Sequence, residues 1–436
     1  MIKQEVKGKK LLILGATGYF CEAVKAAKKL GIYTIVTDFF PNSPAKAIAD
    51  KAYDISTVEI DQLEELARKE KVDGIFVAWS DVNHYVALEL CERLGMPFYA
   101  TYEQLYTFTN KHEFKECCRK YNVPTVPEFK LTAEMKPEDM AALEYPVIIK
   151  PSDSYGGKGI TICRSNEDVP AAISEAMSKS PSGRFLTEKY MDDEHYDTIA
   201  AYYTIQDGEA AFSSMTDRCM NEFENNKRLN TSIFYPSQYL PRFLKEVDPH
   251  IKDMLRGMKI QNGVIFFEGC VNKEGFALWE SGYRLCGAQQ NIFPAYINGV
   301  DSQKMLICHA LTGRMADENM LSKEDPFFKG KFACNGLIFL SPGKIESVSG
   351  IERVLKIPGV INMTCLRQSG DEIKSEDVGT LNQSLGRFHI VSDSRRGLYD
   401  IIENIIATLS VRSVDGREMC LRTYDPSDAN KPRRWI

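Results

Sequence analysis

Gly263-Val264-Ile265-Phe266-Phe267-Glu268-Gly269 and, one short turn later, Ala277-Leu278-Trp279-Glu280-Ser281-Gly282-Tyr283-Arg284-Leu285 are the two runs on which the reading of this chain turns. Each places a single acid toward the inner end of an apolar stretch. Asn272-Lys273-Glu274-Gly275 between them has the composition of a hairpin turn, so Val264–Val271 and Phe276–Glu280 are expected to pair as antiparallel strands. Such pairing sets Glu268 and Glu280 side by side on one face. Two carboxylates held so close repel unless a cation or a proton lies between them. Magnesium, a hard cation that takes oxygen ligands and shares substrate phosphates, fits the pair, with manganese as an alternative ion. Arg284 follows four residues after Glu280 and can fork onto a phosphate. The plainer alternative is two ordinary strand-end acids beside a surface arginine.

Upstream, the strand Tyr145-Pro146-Val147-Ile148-Ile149-Lys150 runs into Pro151-Ser152-Asp153-Ser154-Tyr155-Gly156-Gly157-Lys158-Gly159-Ile160. A lysine at a strand end before a small, glycine-rich loop suits phosphate, because the glycines let backbone N–H groups approach. No Gly-Lys-Ser/Thr follows, so this is not a Walker loop; a flexible hairpin is the competing reading. Phe185-Leu186-Thr187-Glu188-Lys189-Tyr190-Met191 reads as an apolar strand ending in a polar hinge, where backbone groups can meet an adenine edge.

Before residue 110 the chain alternates strands and helices: Leu11–Leu14, a helix near Phe20–Leu30, Tyr33–Thr37, a helix near Glu59–Lys71, Gly74–Ala78 and a helix over Val82–Leu94. That alternation predicts a parallel sheet covered by helices. Gly15-Ala16-Thr17-Gly18 with Asp38 sits where a dinucleotide-binding fold meets pyrophosphate and ribose. Cys21 occupies the third glycine position, and no tyrosine has a lysine four residues on, so an NAD(P)-dependent oxidoreductase is the weaker rival. The turn reads better as part of a substrate pocket.

Asn110 is expected to cap a helix reaching Tyr121, and a long helix is expected over Arg242–Gln261. The fold class is α/β and α+β, in three parts: a Rossmann-like domain over 1–109, a nucleotide and magnesium domain over 110–320, and a small α+β domain over 321–436. Hydrophobic residues make up 44%, charged residues 26%, and the net charge is −6. This balance argues against nucleic acid or a membrane surface as partner. Twelve scattered cysteines with no CxxC pair read as reduced thiols of a cytoplasmic protein, and the six histidines show no zinc spacing. The basic Lys431-Pro432-Arg433-Arg434 reads as a solvated tail.

The ordered set Thr109-Asn110-Lys111, Lys150 with its loop, Glu188-Lys189-Tyr190-Met191, Glu268 and Glu280 to Arg284 resembles the ATP-grasp superfamily. The resemblance implies that Lys111 and Lys150 contact phosphate, and that Ser152 to Gly159, with Ser154, Gly156, Gly157 and Lys158, closes over it. Glu188, Lys189, Tyr190 and Met191 would form the adenine hinge, Glu194 would hold the ribose, and Glu268 and Glu280 would hold magnesium. Arg284 would steady an acyl phosphate. Where the family usually has a second metal-binding asparagine this chain has Gly282, which leaves a second metal without a ligand.

The activity implied is ATP-dependent ligation: a small carboxylate is phosphorylated, an amine displaces phosphate, and the lid excludes water. Both substrates are small molecules, and a homodimer is compatible. A non-catalytic nucleotide-binding protein is the alternative that Gly282 motivates. Ser341 to Val348, Ile357 to Val360 and Gly386 to Ser392 are similar to the C-terminal domain of ATP-grasp amino-acid and dipeptide ligases and, more distantly, of biotin carboxylase. Glu280 to Gly287 is similar to a variant segment of carbamoyl-phosphate-synthetase-like members. Arg218 is the candidate to pair with a substrate carboxylate, with Arg228 a weaker one, and His309 reads as a packed core histidine.

Overall fold

The computed structural model describes residues 2–154, 158–192, 195–222 and 228–424. Tyr155, Gly156, Gly157, Glu194, part of the Asn-rich stretch after Asn221 and the basic tail at 431–434 lie outside the described residues, as does the side chain of Arg228.

The alternating N-terminal pattern produces four parallel strands, β1 (Lys10–Leu14), β2 (Tyr33–Thr37), β3 (Lys51–Tyr53) and β4 (Gly74–Val77), in the order β3-β2-β1-β4. Leu11 to Leu14 are fully buried, as expected of a parallel strand covered on both faces. One covering helix comes from far along the chain. Ser302–Thr312 packs Met305, Leu306, Ile307, Ala310 and Leu311 into the same core as Leu11, Ile13, Val24 and Phe76. His309 lies on it, 5% exposed, as a core residue. Gly74 makes the close approach: a Cβ there would come within 2.2 Å of the Ala310 carbonyl oxygen. The 1–109 unit expected from sequence therefore completes its core with residues from beyond 300.

A small antiparallel sheet follows, β5 (Glu128–Phe129), β6 (Val147–Pro151), β7 (Thr161–Cys163) and β8 (Phe185–Lys189), ordered β5-β8-β6-β7. The helix Val169–Ser178 covers one face with Val169, Ala172, Ile173 and Ala176 packed on Val147 and Ile149. The remaining central strands are β9 (Asp197–Gln206), β10 (Glu209–Glu222), β11 (Arg228–Tyr235), β12 (Gly263–Val271), β13 (Phe276–Gly282) and β14 (Phe332–Phe339). Beyond them come β15 (Gly343–Ser349), β16 (Val360–Cys365), β17 (Glu372–Ile373), β18 (Ser384–Ser392) and β19 (Ser410–Ser413).

Eight strands form one sheet, β13-β12-β9-β10-β11-β14-β18-β16, and β17-β15-β19 form a small one. The large sheet runs across residue 321 without a break, because β11 pairs directly with β14 from Tyr235↔Ala333 to Ser232↔Gly336. The C-terminal block expected to stand apart thus supplies three strands of the same sheet. The single helix expected over Arg242–Gln261 is corrected to two, Leu240–Glu246 and Asp248–Gly257. Pro249 opens the second; with no N–H it cannot continue the ladder of the first.

Candidate functional site

The hairpin of β12 and β13 forms as its sequence dictates, and Glu268 lies directly opposite Glu280. The register shifts after Glu268, between Glu268 and Gly269, and Trp279 falls outside the pairing. Such a bulge re-aims neighbouring side chains and is common beside functional sites. Glu280 is exposed, whereas the Glu268 side chain is 19% exposed.

The two acids are treated differently by their surroundings. Arg218, on β10, forks onto Glu268 with Nη1 and Nη2 donating to its two oxygens at 2.7 and 2.5 Å. Burial works to raise the Glu268 pKa, but the Arg218 guanidinium outweighs it and holds the carboxyl below its usual range. Glu280 receives no such clamp. Crowding by the surrounding protein, then repulsion by Glu268, push its pKa up, against the pull of Lys111, Lys150 and Arg284. Since Glu280 is open to solvent, water both relieves the burial and screens the repulsion, so the rise is small and its direction is set by the acid opposite.

Arg284 points its fork elsewhere. Its Nε and Nη2 donate to the Asp81 carboxylate at 2.5 and 2.8 Å, and its guanidinium lies 5.2 Å from the centre of the Phe266 ring. Asp81 opens the helix Asp81–Leu94 just beyond β4. The N-terminal sheet thereby fixes the arginine through a residue 203 positions away. Burial and then Arg284 act on Asp81 in opposite senses, and the arginine wins, keeping the acid ionised.

Phe266 also accounts for Gly282. The two are cross-strand partners, and a Cβ on Gly282 would come within 2.5 Å of the Phe266 ring. An asparagine there has no room. Among the described residues no cluster of three or more His, Cys, Asp or Glu could hold a metal by itself. Two carboxylates opposite one another still fit magnesium, which is commonly held by one or two carboxylates together with substrate phosphates. Glu268 and Glu280 would be its protein ligands, with Glu268 shared with Arg218.

On the small sheet, Lys150 ends β6 and Glu188 lies on the neighbouring β8, where Ile148 is its direct partner. Lys150 Nζ is 2.6 Å from Glu188 Oε2. A residue that sequence reading passed over, Lys115, contacts the other oxygen, Oε1. Burial favours the neutral acid, but Lys150 and Lys115 outweigh it and hold Glu188 below the usual carboxylate range. Burial also pulls the Lys115 pKa down against Glu188; the direct contact with an ionised carboxylate is that of an ion pair. Glu188, expected in the adenine hinge, is thus sealed at 2% exposure between two lysines. Lys189 and Tyr190 carry the chain out of the sheet, with their N–H groups donating to the Pro127 and Pro146 carbonyls, and Met191 follows half-buried.

Lys111 opens the helix Lys111–Lys120, whose Asn110 cap accepts from the N–H groups of His112 and Glu113 as expected. Lys111 Nζ donates to the Ser154 carbonyl at 3.2 Å. Burial lowers its pKa, with Glu280 opposing and Lys150 adding to the fall. Lys158 is exposed. The linker joins the two sheets: Val126 N–H donates to the Leu278 carbonyl, and Leu278 N–H to that of Pro124. The small sheet therefore hangs from the edge strand that carries Glu280.

Asp38 is used locally. Its oxygens accept from the N–H groups of Ala16 and Phe40 at 3.2 and 3.0 Å, bracing the glycine turn against the end of β2. Among the described residues no helix is long and apolar enough to cross a membrane.

Residues 110–200 match the family described as carbamoyl-phosphate synthase L chain, ATP binding domain. The formate-dependent phosphoribosylglycinamide formyltransferase of Methanocaldococcus jannaschii is 26% identical over 201 residues, 45% of this chain and 51% of that protein. The chain spans about half the length of the curated relatives it matches. An L-amino acid ligase from Bacillus licheniformis aligns with a TM-score of 0.74 at 15% identity, covering 93% of this chain and 99% of that one. The biotin carboxylase domain of the Hydrogenobacter thermophilus 2-oxoglutarate carboxylase, solved with MgADP and bicarbonate, aligns at 0.77 and 19%, covering 94% and 91%. The chain carries an ATP-grasp domain and shares the fold of these proteins over 93–94% of its length.

Proposed function

We propose that this ATP-grasp chain is an ATP-dependent ligase that transfers the γ-phosphoryl group of ATP to a small carboxylate, an amino acid in the reading we favour. The resulting acyl phosphate is attacked by an amine, releasing phosphate alongside ADP. One observation carries the reading: Glu268 and Glu280 face one another on neighbouring strands, with the charges of Lys111, Lys150 and Arg284 acting on Glu280. Phosphoryl transfer is served mostly by positioning and by charge opposite the transferring group, and this cluster supplies both.

Lys111 and Lys150 would hold the phosphates, with Ser154, Gly156, Gly157 and Lys158 closing over them. Lys189, Tyr190 and Met191 would receive adenine and Glu194 the ribose. Glu268 and Glu280 would hold magnesium, which when bound neutralises charge on the phosphates. Arg284, oriented by Asp81, would face the acyl phosphate. Arg218 holds Glu268 through its two Nη groups, so a substrate carboxylate would meet it through its remaining donors. The formyltransferase, carboxylase and amino-acid ligase names among the relatives share an activated small carboxylate or bicarbonate, which supports the class and leaves the acid open.

Phosphate release across a panel of amino acids and other small acids, with and without amines, tests the proposal. Release that needs an acid, magnesium and Lys150, and is lost in Lys150→Ala and Glu268→Gln, is expected. Turnover unchanged in both variants would remove the site. The blocked Gly282 and the arginine-held Glu268 favour a second reading, nucleotide binding without turnover, for which ATP binds and no acid elicits phosphate.

A further inference from the structure

We propose that Lys115 is a positioning residue of the nucleotide site, lending through Glu188 the positive charge that Lys150 presents to the phosphates. The inference rests on the reading above, in which Lys150 meets a phosphate.

Lys115 cannot touch a ligand. Its side chain is 0% exposed, and its ammonium contacts Glu188 Oε1, donates to the Val126 carbonyl at 3.2 Å and lies 3.9 Å from Glu128. Sealing a lysine so completely is costly, and an apolar side chain would fill the position more cheaply. What the lysine does there follows from counting charges on Glu188. Each carboxylate oxygen faces one ammonium, Lys115 at Oε1 and Lys150 at Oε2.

With Lys150 alone the pair would be neutral and its ammonium fully committed, so it would add no net charge to the cleft. With Lys115 the trio carries one net positive charge. Lys115 is wholly buried, whereas Lys150, at 7% exposed, is the member that also acts on Lys111 and Glu280, so the surplus is expressed on that side. The row continues outward with alternating sign. Glu128 lies 3.6 Å from Arg119, which is 47% exposed. Arg119 is also paired with Glu116 at 2.5 Å, so these outer groups bring no positive surplus of their own and, being more exposed, are screened by water; the surplus belongs to the buried trio of Lys115, Glu188 and Lys150.

Calorimetry on the full chain with ATP, ADP and adenosine tests this, using the unsubstituted protein, Lys115→Met and the double variant Lys115→Met/Glu188→Gln. Lys115→Met is expected to weaken ATP and ADP about tenfold while leaving adenosine within about twofold. The double variant should recover most of the ATP affinity, because Lys150 is then freed from a carboxylate. A merely structural lysine would weaken adenosine as much as ATP and would not be rescued by a second substitution; either result overturns the inference, as does ATP binding unchanged in Lys115→Met. Melting curves confirm folding, and Lys115→Gln carries the same comparison if the methionine variant does not fold. ATP binding by the unsubstituted chain keeps the functional reading standing whichever way Lys115 falls; its absence overturns both.

Discussion

The small sheet and the edge of the large sheet each bring an acid near Lys111, and they treat it in opposite ways. Glu188 is closed off from water and outnumbered by cations, so its capacity is spent inside the protein. Glu280 is open, lies opposite a second acid and has no arginine clamped to it, since Arg218 is taken by Glu268 and Arg284 by Asp81. The difference separates anchoring from binding. A saturated carboxylate fixes the lysines around it, whereas an acid left short of positive charge retains affinity for an incoming cation.

The largest test of this contrast is Glu188→Gln. Removing the shared anion leaves Lys150 without its carboxylate and Lys115 with only Glu128 at 3.9 Å, so unfolding free energy should fall by about 3–5 kcal/mol in chemical denaturation. A variant as stable as the parent would show that Glu188 anchors nothing.

Glu280→Gln should do the reverse, lowering magnesium-dependent phosphate release by about 10²–10³-fold with no loss of stability. Its pH behaviour sharpens the point. A carboxyl whose pKa is raised in the folded state contributes stability that is full below the ordinary glutamate range and is lost as pH rises through the raised value. Without metal, the parent should therefore melt below Glu280→Gln near neutral pH, and the gap should close on acidification. A gap that widens toward low pH would mean that Glu280 already has a cationic partner.

The smallest effect belongs to Gly282→Asn. The side chain must displace the Phe266 ring, costing about 1–3 kcal/mol by overpacking. Manganese titration followed by spin resonance should show no added site. A variant of full stability with a second bound ion would show that glycine, and not Phe266, withholds the second metal.

Much of this cleft was legible in the sequence because its parts are local. The β12–β13 hairpin needs only alternating apolar runs and a turn, and it delivers Glu268 and Glu280 together. The Asn110 cap and Lys150 at a strand end are equally local. Lys115 was not legible: within Lys-His-Glu-Phe-Lys-Glu-Cys-Cys-Arg-Lys it looks like one more solvated lysine, and only docking of that helix on the small sheet buries it. The partners of Arg218 and Arg284 lie 50 and 203 residues away, fixed by strand order and by the N-terminal sheet, which no local pattern encodes. The continuity of the large sheet past residue 321 is of the same kind, a matter of which edges meet.

The helix Ser302–Thr312 has a consequence for how the chain is made. It completes the core of the first sheet, and Lys9 Nζ reaches the Leu311 carbonyl at 2.7 Å across 302 positions of sequence. At about 5–20 residues per second, the first four strands wait on the order of 10–50 s after their own synthesis before their missing wall is made. During that interval the apolar face around Phe76 is uncovered. A nascent chain halted before residue 302 should be a client for chaperones that bind exposed apolar segments, and one released past 312 should not.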